Sequence, residues 1–179
     1  MPFTSWCIPL DKKSKLLISE IALFGVLAAL TFGAKFVMSG LPNIEPVSLM
    51  VMLFAVTFGK KALYPIYVYV VLEILCFGLN IWNIYYLYIW LILWFFAYLL
   101  RNMHDPLGWA VLSGAFGLLF GAFCGVADFF IGGWSYAAGK WVSGLMFDLT
   151  HCVGNFVIAL LLFKPMRQLL GKLYKRMRQ

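Results

Sequence analysis

The chain has 179 residues, of which 64% are hydrophobic and only 12% charged, with a formal net charge of +7. The apolar share is far above that of an average soluble domain and the charged share about half of it, which excludes a water-soluble globular fold and leaves an integral membrane protein. The positive charge calls for no nucleic-acid partner, because the lysines and arginines gather at the ends of apolar blocks, where anionic lipid headgroups would meet them.

Six apolar blocks of helix-spanning length follow one another, and in lipid only a helix satisfies their backbone hydrogen bonds internally. The first, residues 16–38, follows Lys12, Lys13 and Lys15. It is too long for the apolar core of a cleaved signal peptide and lacks a small-residue cleavage site, so it is expected to stay as helix 1. Ala22, Gly25, Ala29 and Gly33 form a small-residue stripe along it, which implies close contact with another helix, within the bundle or in another protein. Glu20 lies near its start, where a carboxylate can snorkel or favour the helix N-terminus, and no function is assigned to it.

The second block, 44–58, is short; Glu45-Pro46 reads as its first turn and Asn43 as a candidate cap. The third, 62–79, carries Glu73, a lone acid in an apolar run and so a functional candidate by default, with Lys35 or His151 as a structural partner in the alternative. The fourth, 84–100, follows a turn bearing Asn80, Trp82 and Asn83. In the fifth, 109–131, Gly114, Gly117, Gly121 and Gly125 lie on one face with Asp128 beyond them, a spacing that lets two helices approach closely. The sixth, 141–163, has a polar stripe of Trp141, Gly144, Asp148, His151 and Asn155 at three- and four-residue steps. Asp148 to Asn155 spans roughly 10 Å at about 1.5 Å per residue. The stripe either contacts a ligand or is structural glue between helices. The basic segment 164–179, KPMRQLLGKLYKRMRQ, reads as an anchor beside anionic headgroups, with protein docking as the alternative.

Of the fourteen Lys and Arg residues, all but Lys35 and Lys140 fall at one set of helix ends. The positive-inside rule then makes both termini cytoplasmic. The expected fold is an all-α six-transmembrane-helix bundle of a single domain, 1–179, with N-in/C-in topology. The segment GGWSYAAGKW (132–141) falls outside, between helices 5 and 6. Its glycines and lysine do not make a Walker loop: five residues separate Gly133 from Gly139, and Trp141 stands where the magnesium-binding Ser or Thr would be. Cys7, Cys76, Cys124 and Cys152 are scattered without a CxxC, which indicates neither a disulfide framework nor a thiolate metal site.

This topology gathers aromatic, amide and charged groups at the outer ends. The candidate substrate-binding residues are Glu45, Asn80, Trp82, Asn83, Tyr86, Asp128, Trp134, Tyr136, Lys140, Trp141, Asp148, His151 and Asn155. They suit a pocket for a planar polar molecule, although an aromatic belt at the membrane interface would also place Trp and Tyr there.

With its length, six blocks, inside termini, helix 1 stripe, LPNIEP before helix 2 and GLMFDLTHCVGNFVIALLLFKP in helix 6, the chain resembles the substrate-binding S-components of energy-coupling-factor (ECF) importers. The resemblance implies capture of a vitamin or related micronutrient in the outer half of the bundle, in the plasma membrane of a prokaryote. It also implies docking through helix 1 (here Ala22, Gly25, Ala29 and Gly33 rather than a strict alanine repeat) to a coupling transmembrane subunit driven by two ATPases. ATP would then be used by those partners, with no cofactor, catalytic residue or metal in this chain. Two other functions stay open: a stand-alone proton-coupled carrier using Glu73, and an intramembrane enzyme using Asp148 and His151, for which HExxH and nucleophile-elbow motifs are missing.

Overall fold

The computed structural model describes residues 17–40 and 46–177. Glu45 and Asn43, the basic residues Lys12, Lys13, Lys15 and Arg178, and Cys7 lie outside them. Every regular element among the described residues is helical: α1 (Ile18–Val37), α2 (Val47–Phe58), α3 (Leu63–Phe77), α4 (Ile81–Leu99), α5 (Pro106–Leu118) and α6 (Phe120–Met177), with single 3₁₀ turns after α1 and between α2 and α3. Among the described residues, four helical stretches are long and apolar enough to cross a membrane: Ile18–Gly40, Val47–Phe77, Ile81–Leu99 and Pro106–Met177. Large apolar side chains such as Ile18, Leu75, Leu79 and Phe130 stand exposed on the outside, a surface suited to lipid and costly in water.

Two of the four stretches are not straight rods. Gly59 (φ 60°) sits between α2 and α3, and Gly133 (φ 77°) divides α6 into arms of residues 120–132 and 134–177. At both points the chain adopts a backbone conformation that glycine reaches without steric cost. The expected loop at 132–141 is therefore a bend at one residue, helical on both sides. The expected tail beyond 163 is likewise helical as far as Met177, with Pro165 inside the helix.

Side-chain contacts give the helix directions. At one end, the carboxylate of Glu20 in α1 accepts from Lys61 Nζ at 2.6 Å and from the Tyr174 hydroxyl near the end of α6 at 2.7 Å. It also accepts the Leu17 N–H at 3.1 Å, which caps α1. Glu20 is fully buried and does not snorkel; three donors compensate the burial. At the same end, the Arg167 guanidinium donates to the carbonyls of Arg101 and Met103, closing the α4–α5 connection against α6. At the opposite end, Lys35 meets Glu73 and Lys140 meets Asp128. Thus α1 and α3 run from the Glu20 end to the Lys140 end, and α2, α4 and the second arm of α6 run back.

The core is centred on α2, which is buried continuously from Val47 to Ala55 and packs on α4 and α6. At 12 residues it is only about 18 Å long, and the buried Ser48 accepts the amide of Asn155 in α6 at 3.1 Å. Next to it, α5 and the first arm of α6 form one leg of a tight hairpin whose other leg is residues 134–177. Trp109 stacks on Phe163 at 4.4 Å between ring centroids. A Cβ on Gly117 would lie 2.7 Å from the His151 carbonyl oxygen, and one on Gly114 would lie 3.2 Å from Phe156. The glycine face of the fifth block meets the second arm of α6 at Gly114, Gly117 and Gly121, but not at Gly125, which has nothing within 4 Å of its Cβ position.

Because the obstacle at Gly117 is backbone and cannot rotate away, Gly117→Val is expected to lower stability by about 1–3 kcal/mol. Gly125→Ala should be neutral or stabilising by up to about 1 kcal/mol. Thermal unfolding of both variants in detergent checks this; equal losses would contradict the close approach at Gly117.

Candidate functional site

The two asparagines before α4 have local work to do. Gly78 (φ 75°) turns the chain out of α3; Asn80 Oδ1 then accepts the Trp82 N–H at 2.9 Å, and Asn83 Oδ1 accepts the Asn80 N–H at 2.7 Å. This reciprocal capping box fixes the start of α4. It therefore sets the direction of the next turn, which carries Tyr85 and Tyr86.

These adjacent tyrosines each serve one ion pair. Tyr86 accepts from Lys35 Nζ at 3.0 Å, and Lys35 also donates to Glu73 Oε2 at 3.0 Å. Tyr85 donates to Asp128 Oδ1 at 2.5 Å, and Lys140 Nζ donates to the Tyr85 hydroxyl at 2.7 Å and to Asp128 Oδ1 at 2.9 Å. The ammonium groups also lie near tyrosine faces, Lys35 at 4.8 Å from the Tyr86 centroid and Lys140 at 5.2 Å from that of Tyr85, a placement favourable to a cation. One helix thus links two lysine–carboxylate clusters, one built on α1 and α3, the other on the two arms of α6.

Between the clusters lies a cavity of about 930 Å³. Trp82, Tyr85, Tyr86, Phe120, Trp141 and Phe147 supply its aromatic wall, and Asp148 and His151 add polar groups from α6. Asp148 Oδ1 accepts the Gly121 N–H at 3.0 Å, just beyond the point where the chain departs from helical geometry between α5 and α6. A Cβ on Gly121 would fall 2.5 Å from Asp148 Oδ2, so only glycine leaves room for the carboxylate there. His151 packs against Phe120 at 4.9 Å between centroids, and its Nε2 has no hydrogen-bond partner.

Of the residues expected from sequence, Asn80, Trp82, Asn83, Tyr86, Asp128, Lys140, Trp141, Asp148 and His151 all line this cavity. Three described residues do not. Asn155 is buried below it, donating to Ser48 Oγ and the Ser113 carbonyl, and so ties α6 to α2 and α5. Trp134, just past the Gly133 bend, is 75% exposed on the outside. Tyr136 folds over Gly132 and, without lining the cavity, has the Lys140 ammonium over its ring face at 5.7 Å from the centroid. Glu45 lies outside the described residues. Lys35, Glu73, Tyr85, Phe120, Cys124, Ser143, Gly144 and Phe147 join the lining beyond the expected set. For Tyr85 the signal was its place beside Tyr86; for Lys35 and Glu73 it was their being charges within apolar runs.

Among the described residues, no three His, Cys, Asp or Glu side chains gather closely enough to hold a metal ion. Compared with known proteins, the chain matches no family model, no curated protein and no solved structure.

Removing Lys140 would leave the buried Asp128 with Tyr85 as its remaining side-chain partner. Lys140→Met is expected to destabilise by about 2–3 kcal/mol, less than a fully buried pair would lose because the lysine is partly exposed. The double variant Lys140→Met/Asp128→Asn should recover more than half of that loss. A double-mutant cycle read by unfolding in detergent measures the coupling; additive losses would contradict the pair as a unit.

Proposed function

We propose that this chain is the substrate-binding S-component of an ECF-type importer, which captures a vitamin-sized ring compound in the cavity between the two lysine–carboxylate clusters. The observation that carries the reading is the cavity itself. Its volume is in the range of small-molecule sites, and aromatic walls surround a few convergent polar groups, inside a helical bundle with an apolar exterior.

In this reading the chain crosses the membrane six times with both termini in the cytoplasm of a prokaryote. The bends at Gly59 and Gly133 support the count, since each divides a long apolar stretch into two passes. The gathering of Lys60, Lys61, Arg101 and Arg167 at the Glu20 end supports the orientation, because it makes that end the cytoplasmic one. Substrate would then enter from outside at the Lys140 end. The partners are a coupling transmembrane subunit and two ATPases that use ATP, with no cofactor and no catalysis in this chain. Ala22, Gly25 and Ala29 are exposed on α1, and beyond the backbone of α1 itself nothing among the described residues lies within 4 Å of the Cβ positions of Gly25 and Gly33; this leaves a shallow face for a partner helix.

The carrier reading draws on Glu73, which is held in an ion pair with Lys35. The enzyme reading would need Asp148 and His151 to act together, yet Asp148 bonds to Gly121 and His151 Nε2 bonds to nothing. Both therefore have less support than capture.

The test is to purify the full chain without partners, denature it, identify released small molecules by mass spectrometry, and titrate each back while following tryptophan fluorescence. A tightly held ring compound that quenches fluorescence and is lost from Asp148→Ala is the expected result. No released compound, and no fluorescence change across a vitamin panel, would move the weight to the carrier and enzyme readings.

A further inference from the structure

Four carboxylates are buried in the described chain: Glu20 at 0% exposure, Glu73 at 5%, Asp128 at 2% and Asp148 at 4%. Three of them face a lysine, at 2.6 Å for Glu20, 3.0 Å for Glu73 and 2.9 Å for Asp128. Asp148 faces none. Its Oδ1 has the Gly121 N–H, and its Oδ2 accepts no hydrogen bond. The Trp141 indole approaches the same carboxylate without closing a hydrogen bond to Oδ2. Asp148 therefore breaks the pairing rule that the other three buried carboxylates follow, and it does so in the cavity wall.

The two lysines of the cavity suggest an anion site at first sight, but each is already matched. Lys35 is spent on Glu73 and Lys140 on Asp128. Counted over the described residues of the lining, two ammonium groups stand against three carboxylates, Glu73, Asp128 and Asp148. An anionic ligand would add to an excess of negative charge in a medium of low dielectric, where that is costly. Two carboxylate oxygens in the lining, Glu73 Oε1 from α3 and Asp148 Oδ2 from α6, are buried without a donor. Buried acceptors left unsatisfied are costly unless something donates to them. The rings of Trp82, Tyr85, Tyr86 and Trp141 supply the electron-rich faces on which a flat cation is held.

We propose that the cavity selects a planar monocation bearing several N–H donors, of the amidinium or protonated amino-heteroaromatic class, with Asp148 as its counter-ion and Glu73 Oε1 as a second acceptor. This rests on the reading of the cavity as a capture site and adds the charge and hydrogen-bonding sense of what is captured. The Lys140–Asp128 pair then acts as a rigid wall that holds Tyr85 in place, while Lys35 occupies Glu73 Oε2 and leaves Oε1 to the ligand.

Naphthamidine, naphthamide and naphthoate form a probe set of nearly constant shape that runs from cation through neutral amide to anion. Each is titrated at neutral pH against the purified full chain in detergent, read by thermal shift and by calorimetry. The expected result is stabilisation by naphthamidine, with affinity at least about tenfold above that of either other probe, and at least about tenfold weaker binding of naphthamidine to Asp148→Asn. If that variant does not fold, Glu73→Gln replaces it, with a smaller but measurable loss for the same probe. Preference for naphthoate or naphthamide would overturn the cationic assignment while leaving capture in place. Equal naphthamidine binding to the native chain and to the folded Asp148→Asn variant would overturn Asp148 as counter-ion. Binding of none of the three would overturn the capture reading along with it.

Discussion

A carboxylate removed from water inside a helical bundle must find a cation or several hydrogen-bond donors, because the desolvation of an unpaired charge outweighs most packing gains. This constraint organises the molecule. Glu20 draws α1, the turn between α2 and α3, and the end of α6 together at one end. Glu73 and Asp128 do the same at the other end, each with a lysine and one of two consecutive tyrosines of α4. Lys61 and Lys35 lie 41 and 38 residues from their carboxylates, and Lys140 lies across the Gly133 bend from Asp128, so each pair fixes tertiary geometry as well as neutralising a charge.

Close helix packing and open space are balanced along the α5–α6 hairpin. Where glycines meet the backbone and side chains of the opposite leg, at Gly114, Gly117 and Gly121, the legs touch. Farther toward the Gly133 bend, Gly125 and Gly144 have nothing near their Cβ positions, and Gly144 opens onto the cavity. The same hairpin thus carries both close helix packing and part of the cavity wall. Asp148 stands at the transition, its carboxylate seated on Gly121.

Much of this was legible in the residues. The polar stripe of α6 follows from helical periodicity alone, and Trp141, Asp148 and His151 do share the cavity wall. Periodicity gives a face, however, and says nothing of what covers it farther down; Asn155, in step with the others, meets Ser48 and Ser113 instead of the cavity. The glycines before Trp134 signal a turn, but not that a single positive-φ residue suffices, which is why Trp134 and Tyr136 were expected at the mouth and stand outside it. The partners of Glu20 and Asp128 involve Tyr174 and Tyr85, 154 and 43 residues away; no local pattern carries such a pairing. Glu73 was the intermediate case, since Lys35 was one of two partners the sequence offered.

As a capture site, the space between the two charged clusters must hold a ligand. Determining the structure of the full chain, purified with its natural ligand retained, tests this most directly. Density for a ring compound within the cavity, against Trp141 and within hydrogen-bonding distance of Asp148, is the expected result. A retained compound found elsewhere on the molecule, with the cavity filled only by solvent or lipid, would contradict it.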